Sequence, residues 1–197
     1  MTPEEVSARL VELLGEPCEA SVSGGGEYAR GTVDVPPERW PEAVRAARDN
    51  LGCDFFDWLS AVDDLDEGFA IVAHLWSVAD KHGVLIRTRV PRDAPRLATV
   101  VDLFPGASWH ERETYEMFGV VFDGHPDLKP LLLPPEFEGH PLRKDFVLAS
   151  RVAKAWPGAK EPGESHAPTR GKRAPMRPPG VPDPNEWGPQ AGRAGEE

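Results

Sequence analysis

The sequence predicts an α+β domain: an antiparallel sheet meander with helices packed on it, followed by an extended C-terminal arm and a tail. Three observations lead there. Three β-rich runs, 55–62, 69–77 and 84–90, follow one another through Asp63-Asp64-Leu65-Asp66-Glu67-Gly68 and Asp80-Lys81-His82-Gly83, connections of hairpin length and residue type. Two segments ahead of them carry helical periodicity between start and stop signals. Beyond Ser150, proline and glycine dominate and apolar residues thin to Trp156, Met176, Val181 and Trp187, a composition that forms no core of its own. The expected layout is a domain over 1–122, an arm over 123–149 that lies along a partner, and a tail over 150–197. At 197 residues, one core plus a tail is the natural count.

Taken in order, Thr2 is an N-cap residue with Pro3 at the first helical position and Glu5 three residues on. Val6, Leu10, Leu13 and Leu14 then hold helical spacing to Gly15, so a helix is expected over 3–14. Residues 19–22 alternate weakly, Gly24-Gly25-Gly26 interrupts, and Tyr28 to Val35 resumes, which reads as a strand pair around a turn. The glycines make no phosphate cradle, because no Gly-Lys-Ser/Thr follows and no helix opens there. Pro36 and Pro37 open a second helix through Trp40, Val44, Ala47 and Leu51, closed by Asn50 and Gly52. The acidic turn 63–67 lacks the spaced ligands and terminal glutamate of a calcium loop and reads as a solvated turn. Ala94 to Phe104, with Leu97, Val100 and Val101 at helical spacing, predicts a third helix.

The densest stretch is 108–146. Ser108 and Glu111 stand at capping-box spacing and Gly119 sits where a left-handed C-cap belongs, which predicts a helix over 109–118. On a wheel, Trp109, Glu113, Glu116 and Met117 fall on one side, and Thr114, Tyr115 and Phe118 on the other. Apolar residues on two faces suit a helix held from both sides. Arg112 and Glu116 are spaced to pair at i, i+4, and Glu113 beside Glu116 calls for a cation from elsewhere, another chain being one source. Two Gly-His-Pro turns follow, at 124–126 and 139–141, and the residue before proline is pushed to extended backbone.

The net charge of −11 excludes a nucleic-acid surface, which needs the opposite sign. It is uneven: residues 1–150 carry −13 and the last 47 residues +2, with Arg170, Lys172, Arg173 and Arg177 clustered in the tail. That tail is expected to lack order alone; the alternative is adhesion to an acidic partner surface. Cys18 and Cys53, far apart and in no Cys-x-x-Cys pair, supply neither an iron–sulfur cluster nor a zinc site and read as buried thiols in a reducing compartment. No stretch reaches the roughly 18 apolar residues of a span, and Met1 leads into a polar helix without a signal-peptide core. The expectation is a cytoplasmic protein that meets a membrane only through partners.

One enzymatic reading gathers His110, Glu111, His125, Asp127, His140 and Asp145 into the metal site of a free-standing hydrolase. The zinc-protease helix that His110-Glu111 would begin needs a second histidine where Thr114 stands. Neither a Gly-x-Ser-x-Gly elbow nor a dinucleotide glycine fingerprint is present.

Glu111-Arg112-Glu113, two residues, Glu116-Met117-Phe118, six residues, His125, three residues, Lys129, one residue, Leu131-Leu132 resembles the signature of the 30 kDa subunit of respiratory complex I, the C-type subunit of bacterial NADH-quinone oxidoreductase. Glu138-Gly139-His140-Pro141-Leu142-Arg143-Lys144-Asp145-Phe146 resembles the same family's second landmark, in the right order. Glu116 stands where relatives often carry Asp, and Val147 where a proline is common. The resemblance implies a cofactor-free structural subunit in the hydrophilic arm of a proton-translocating enzyme that passes electrons from NADH to quinone, with FMN and iron–sulfur clusters on other subunits. It implies the 49 kDa (D-type) quinone-site subunit and the B-type iron–sulfur subunit as neighbours, and a peripheral position on the cytoplasmic side of the cell membrane. Catalytic, cofactor and metal residues are expected to be absent. The residues expected to bind partners are Glu111, Arg112, Glu113, Tyr115, Glu116 and Phe118 on the helix, and His125, Asp127, His140, Arg143, Lys144 and Asp145 on the arm. Glu113→Ala and Arg143→Ala are both expected to leave the isolated domain folded and to weaken assembly. Related membrane-bound hydrogenases and other donor dehydrogenases carry a similar subunit, so the equivalent subunit of such an enzyme is the alternative.

Overall fold

The computed structural model describes residues 1–147. The tail over 150–197, with its tryptophans and basic cluster, lies outside the described residues, as do the last two residues of the arm.

Thr2 caps helix α1 (Pro3–Leu14) through a full capping box with Glu5, as the spacing predicts. Strand β1 (Glu19–Ser23) and strand β2 (Arg30–Asp34) form the antiparallel pair around the glycine turn. Pro36 and Pro37 lead through one 3-10 turn into helix α2 (Trp40–Leu51), ended by Gly52 in the left-handed conformation. Strands β3 (Phe55–Asp63), β4 (Phe69–Ser77) and β5 (His82–Val90) follow as the expected antiparallel meander.

The five strands stand in the order β1-β2-β5-β4-β3. The sheet departs from the expected all-antiparallel form at one seam, where β2 runs parallel to β5 with Val33 beside Ile86. A hairpin cannot join a parallel pair. Here α2, β3 and β4 intervene between the two strands, which leaves α2 free to cover the sheet. Val6, Leu10 and Leu14 of α1 and Trp40, Ala43, Val44, Ala47 and Leu51 of α2 join Val33, Ile71, Ala73, Leu75, Val84 and Ile86 in one buried core. Each large side chain so buried is worth roughly 1.5–3 kcal/mol. Gly31 is dictated by this packing: a Cβ there would stand 2.3 Å from the Pro3 carbonyl oxygen, where the first turn of α1 crosses β2. Cys18 and Cys53 are free thiols, both buried.

The helix expected over 94–104 is not formed. Strand β6 (Arg96–Ala98) pairs in parallel with strand β7 (Val121–Asp123), and a turn follows at 101–103. Leu97, Val100 and Val101 have helical spacing, but Leu97 is the one inward residue of a short strand and Val100 is buried in the turn beyond it. Between the two strands, helix α3 runs from Ala107 to Phe118, two residues longer at its start than expected. Its N-cap is Gly106, without a side-chain cap, so Ser108 lies inside the first turn and forms no capping box. Gly119 closes it with φ +77°, as expected.

The described residues fall into two compact units. One is Met1–Leu133 together with Leu142–Lys144; the other comprises Pro134–Pro141 and the chain from Asp145. In the second, Phe137 and Phe146 stack at 5.9 Å between ring centres, and Gly139 takes the close approach, since a Cβ there would lie 3.1 Å from the Phe146 ring. Among the described residues no helix is long and apolar enough to cross a membrane.

Candidate functional site

The site is built on α3, which packs against β3 at the sheet edge. Ala107, Glu111, Thr114 and Phe118 recur at i, i+4, i+7 and i+11, and all four are buried toward the body of the domain. Phe118 meets Phe69 edge to face at 6.1 Å. Beside them His110 stands edge-on to Phe56 and accepts the Leu59 N–H at Nδ1, 3.4 Å away, so the helix covers part of the exposed sheet edge.

The second side of α3 is held by the chain's own arm. Arg112 donates from Nε to the Lys129 carbonyl at 3.0 Å and from Nη2 to the Pro130 carbonyl at 2.9 Å. Glu116 accepts the amides of Leu132 and Leu133 at 2.7 and 2.9 Å. Arg112 therefore spends its donors on carbonyls and not on the expected i, i+4 pairing with Glu116. Further on, the Leu142 amide donates to the Met117 carbonyl at 3.2 Å and Arg143 Nε to the Phe118 carbonyl at 2.6 Å. These are two of the helix's terminal carbonyls, which have no partner inside the helix. The Lys144 amide closes the series on Asp63 Oδ2 at 2.8 Å.

Asp63 is the residue that the sequence reading missed. Expected in a solvated turn, it is buried, and it accepts the Leu65 and Lys144 amides and an ion pair from Arg92. Of the acidic residues in that turn, Asp64, Asp66 and Glu67 stay toward solvent. Burial raises the Asp63 pKa, but the two amides and the Arg92 guanidinium outweigh it and hold the carboxyl below the usual range. Arg92 and Arg143 both stack over Phe69, at 5.2 and 5.1 Å.

Glu111 is the counter-example. It is fully buried, accepts the Thr99 hydroxyl at 2.5 Å and the Val100 amide at 2.8 Å, and burial pushes its pKa up to about 7 despite those bonds. Thr99 and Val100 belong to the segment read as a helix, so the partners of Glu111 were invisible in the sequence.

The remaining expected site residues are dispersed. His125 accepts the Asp127 amide at Nδ1, 3.0 Å away, which leaves Nε2 to donate toward the Ser108 carbonyl and hydroxyl at 3.3 and 3.2 Å. Asp127 pairs with Lys129 at 2.7 Å on the surface, and this bond lowers its pKa. Tyr115 is half-buried and Glu113 exposed. His140 and Asp145 lie in the second unit. Among the described residues, no group of three or more His, Cys, Asp or Glu side chains is placed to hold a metal ion. His110 and His125, the histidines nearest the signature, are engaged with backbone groups instead.

Carboxylates and guanidinium groups that grip backbone amides and carbonyls fix position, so residues 129–133 and 142–144 are held as a layer on α3 and the α+β body. The chain belongs to the respiratory-chain NADH dehydrogenase 30 Kd subunit family, whose model matches residues 33–152. It is 39% identical over 163 residues to the C-type NADH-quinone oxidoreductase subunit of Thiobacillus denitrificans, covering 77% of this chain and 80% of that protein. Against the corresponding protein of Roseiflexus castenholzii it is 40% identical over 151 residues, 74% of this chain and 84% of the relative. Among solved structures it resembles a trypsin-resistant fragment of Nqo5, with a TM-score of 0.52 and 32% identity over 64% of this chain and 98% of the fragment. It also resembles a chain of the membrane-bound sulfane sulfur reductase, an archaeal respiratory membrane complex, with a TM-score of 0.60 and 27% identity over 80% of this chain and 96% of that one.

Proposed function

We propose that this chain is the C-type subunit of a proton-translocating NADH-quinone oxidoreductase, a structural member of its hydrophilic arm that positions neighbouring subunits and holds no redox group itself. Electrons pass from NADH through FMN and iron–sulfur centres on other subunits to quinone. The neighbours in this reading are the 49 kDa (D-type) quinone-site subunit and the B-type iron–sulfur subunit, and the chain reaches the cytoplasmic face of the membrane through them. The observation that carries the reading is that the family match over residues 33–152 includes both landmark runs, 111–132 and 138–146. Of the twelve residues expected to bind partners, Glu113, Asp127, Lys144 and Asp145 are exposed and so can meet another subunit, together with the half-buried Tyr115. Glu111, Glu116 and Phe118 act one step back, by fixing the helix and arm that present them.

The test is affinity isolation of the N-terminally tagged chain from its native membranes in mild detergent. Recovery with a quinone-site subunit, iron–sulfur subunits and NADH-quinone reductase activity supports the proposal. Recovery of the chain alone overturns it. The likeness to a sulfane sulfur reductase chain favours one second reading, the equivalent subunit of an enzyme with another electron donor or acceptor. The electron-input subunit recovered with the chain decides between the two.

A further inference from the structure

Helix α3 has two occupied sides and one that is open. Ala107, Glu111, Thr114 and Phe118 face the body, while Arg112 and Glu116 are taken by residues 129–133 of the arm. Between the arm side and the buried Met117 lies a strip that nothing in the described chain covers. It holds Trp109, 63% exposed, and Glu113 one turn on. An exposed tryptophan on a helix clasped on both flanks is unusual, because indole is the side chain that gains most from leaving water.

The strip is also pre-organised. The Arg112 guanidinium stands over the Trp109 ring at 5.5 Å while its donors are fixed on the Lys129 and Pro130 carbonyls. The indole therefore rests against a cation that cannot wander, and little side-chain entropy remains to be lost on docking. The arm thus shapes the strip without covering it. Its charge is equally defined: the charge of Arg112 is engaged by the ring and the carbonyls, whereas Glu113 has no hydrogen-bond or ion-pair partner among the described residues. What remains on offer is one large aromatic face and one free carboxylate, at i and i+4.

We infer that the Trp109–Glu113 strip is the anchor of the subunit interface, and that its occupant is a protein surface with an apolar pocket for the indole and a lysine or arginine at the pocket's rim. The inference rests on the subunit reading above and names the chemistry of the partner at that site. Trp109 inserts, Glu113 pairs with the rim cation, and the buried carboxylates of α3 hold both in place. Aromatic anchors in desolvated pockets carry a disproportionate share of binding energy, and an adjacent charge pair sets register.

The test is hydroxyl-radical footprinting of the wild-type full chain, alone and within the detergent-extracted complex, with oxidation read at Trp109. The expected result is that Trp109, 63% exposed in the chain, is protected from oxidation in the complex. If the chain is recovered with partner subunits and Trp109 oxidises at the same rate in both states, this inference falls and the subunit reading stands. If no partner is recovered, the subunit reading itself falls. Protection in the chain alone that grows with concentration means that a second copy is the occupant, and also overturns the inference. Variants add an independent check: Trp109→Ala lowers co-recovery on the order of 10-fold or more. Glu113→Lys lowers it further than Glu113→Gln, because it sets like charges against each other. Equal recovery of Glu113→Lys and wild type excludes the rim cation. Melting of the isolated variants separates lost docking from lost folding, and the footprint of the unmutated chain is free of that ambiguity.

Discussion

Two buried carboxylates near the same helix are solved in opposite ways. Asp63, at the end of β3, has a guanidinium beside it and two amides aimed at it, and its pKa is held down. Glu111, in the middle of α3, has one hydroxyl and one amide and no cation, and its pKa rises to about 7. Both are shielded from solvent, but Glu111 lies deep beneath α3 whereas Asp63 sits close to the surface beside the partly exposed Arg92, so depth and partners act together. At Asp63 an opposite charge and two N–H donors outweigh a modest desolvation; at Glu111 a deep desolvation outweighs one hydroxyl and one amide. The first carboxylate is a permanent anion that ties residues 142–144 to the sheet; the second sits on a titration boundary near neutral pH.

The largest way to break this comparison is Asp63→Ala. It removes the acceptor of two amides and the ion-pair partner of Arg92, and removal of one member of a buried, hydrogen-bonded ion pair costs about 3–5 kcal/mol. Denaturant unfolding should show that loss, and hydrogen exchange should show the Lys144 amide losing protection. Because the folded pKa of Asp63 lies below its ordinary value of 3.8, its contribution is present above that pH and is lost as pH falls through the lowered value. The variant should therefore lack this part of the wild type's acid sensitivity. An unchanged midpoint in denaturant would remove Asp63 from the account.

Glu111→Gln tests the other half, with the opposite sign. The folded pKa of about 7 stands above the ordinary 4.5, so the folded state holds the proton more tightly. Its stabilising share is complete below 4.5 and disappears as pH rises through 7, by up to about 1.4 kcal/mol for each unit between. Glutamine stays neutral and can still accept the Val100 amide. The variant should melt near wild type at pH 5 and above it at pH 8, which a pair of thermal scans checks. A wild-type stability equal at both pH values, where Asp63 does not titrate, would mean that Glu111 is ionised throughout.

The same contrast explains what the sequence made legible. α1, α2 and the three-stranded meander were readable because each carries its own punctuation: the capping box at Thr2 and Glu5, Gly52 behind α2, and turn residues between alternating strands. The 30 kDa-type motifs were readable as well, and the family match contains them. The parallel seam between β2 and β5 was not, since its two strands stand some fifty residues apart and no local signal pairs them. Nor was the strand at 96–98, whose Leu97, Val100 and Val101 imitate a helical stripe until β7 supplies a ladder. At the site, the wheel set Trp109, Glu113, Glu116 and Met117 against Thr114, Tyr115 and Phe118. The helix is instead held through Ala107, Glu111, Thr114 and Phe118 and, at Arg112 and Glu116, by the arm of this chain, with Trp109 and Glu113 left open. Glu111, Glu116 and Phe118 were expected to meet a partner and are buried within the described chain, because a glutamate on a helix looks the same in sequence whether it meets a neighbour's lysine or its own chain's amides.

Glu116→Gln sharpens the comparison at smaller scale. Glu116 resembles Asp63 in accepting two backbone amides, and it works on the arm at Leu132 and Leu133. Glutamine keeps one good acceptor and turns an NH2 toward the other amide, so about 1–2 kcal/mol should be lost. Hydrogen exchange should quicken at Leu132 and Leu133 while the sheet amides stay protected. Equal loosening of β4 and β5 would mean that the arm is not a separable layer on the helix.

The smallest effect on the isolated chain is expected at Glu113, and the sequence had paired it with Arg143. The structure separates them. Arg143 donates to the Phe118 carbonyl and stacks over Phe69, so Arg143→Ala should destabilise the isolated chain, by about 1–3 kcal/mol if the carbonyl is left unsatisfied, rather than act on assembly alone. Glu113 is exposed and makes no hydrogen bond or ion pair among the described residues, and Glu113→Ala should leave unfolding within about 0.5 kcal/mol of wild type. In the complex, the order is expected to invert for Glu113, where the loss of one partner of a desolvated pair costs about 2–5 kcal/mol. Chemical denaturation of the isolated chain and quantitative co-recovery from membranes, run on both variants, place each residue on one axis or the other. Behaviour of Glu113→Ala like Arg143→Ala on both axes would mean that the open strip of α3 is part of the fold rather than a surface kept for another subunit.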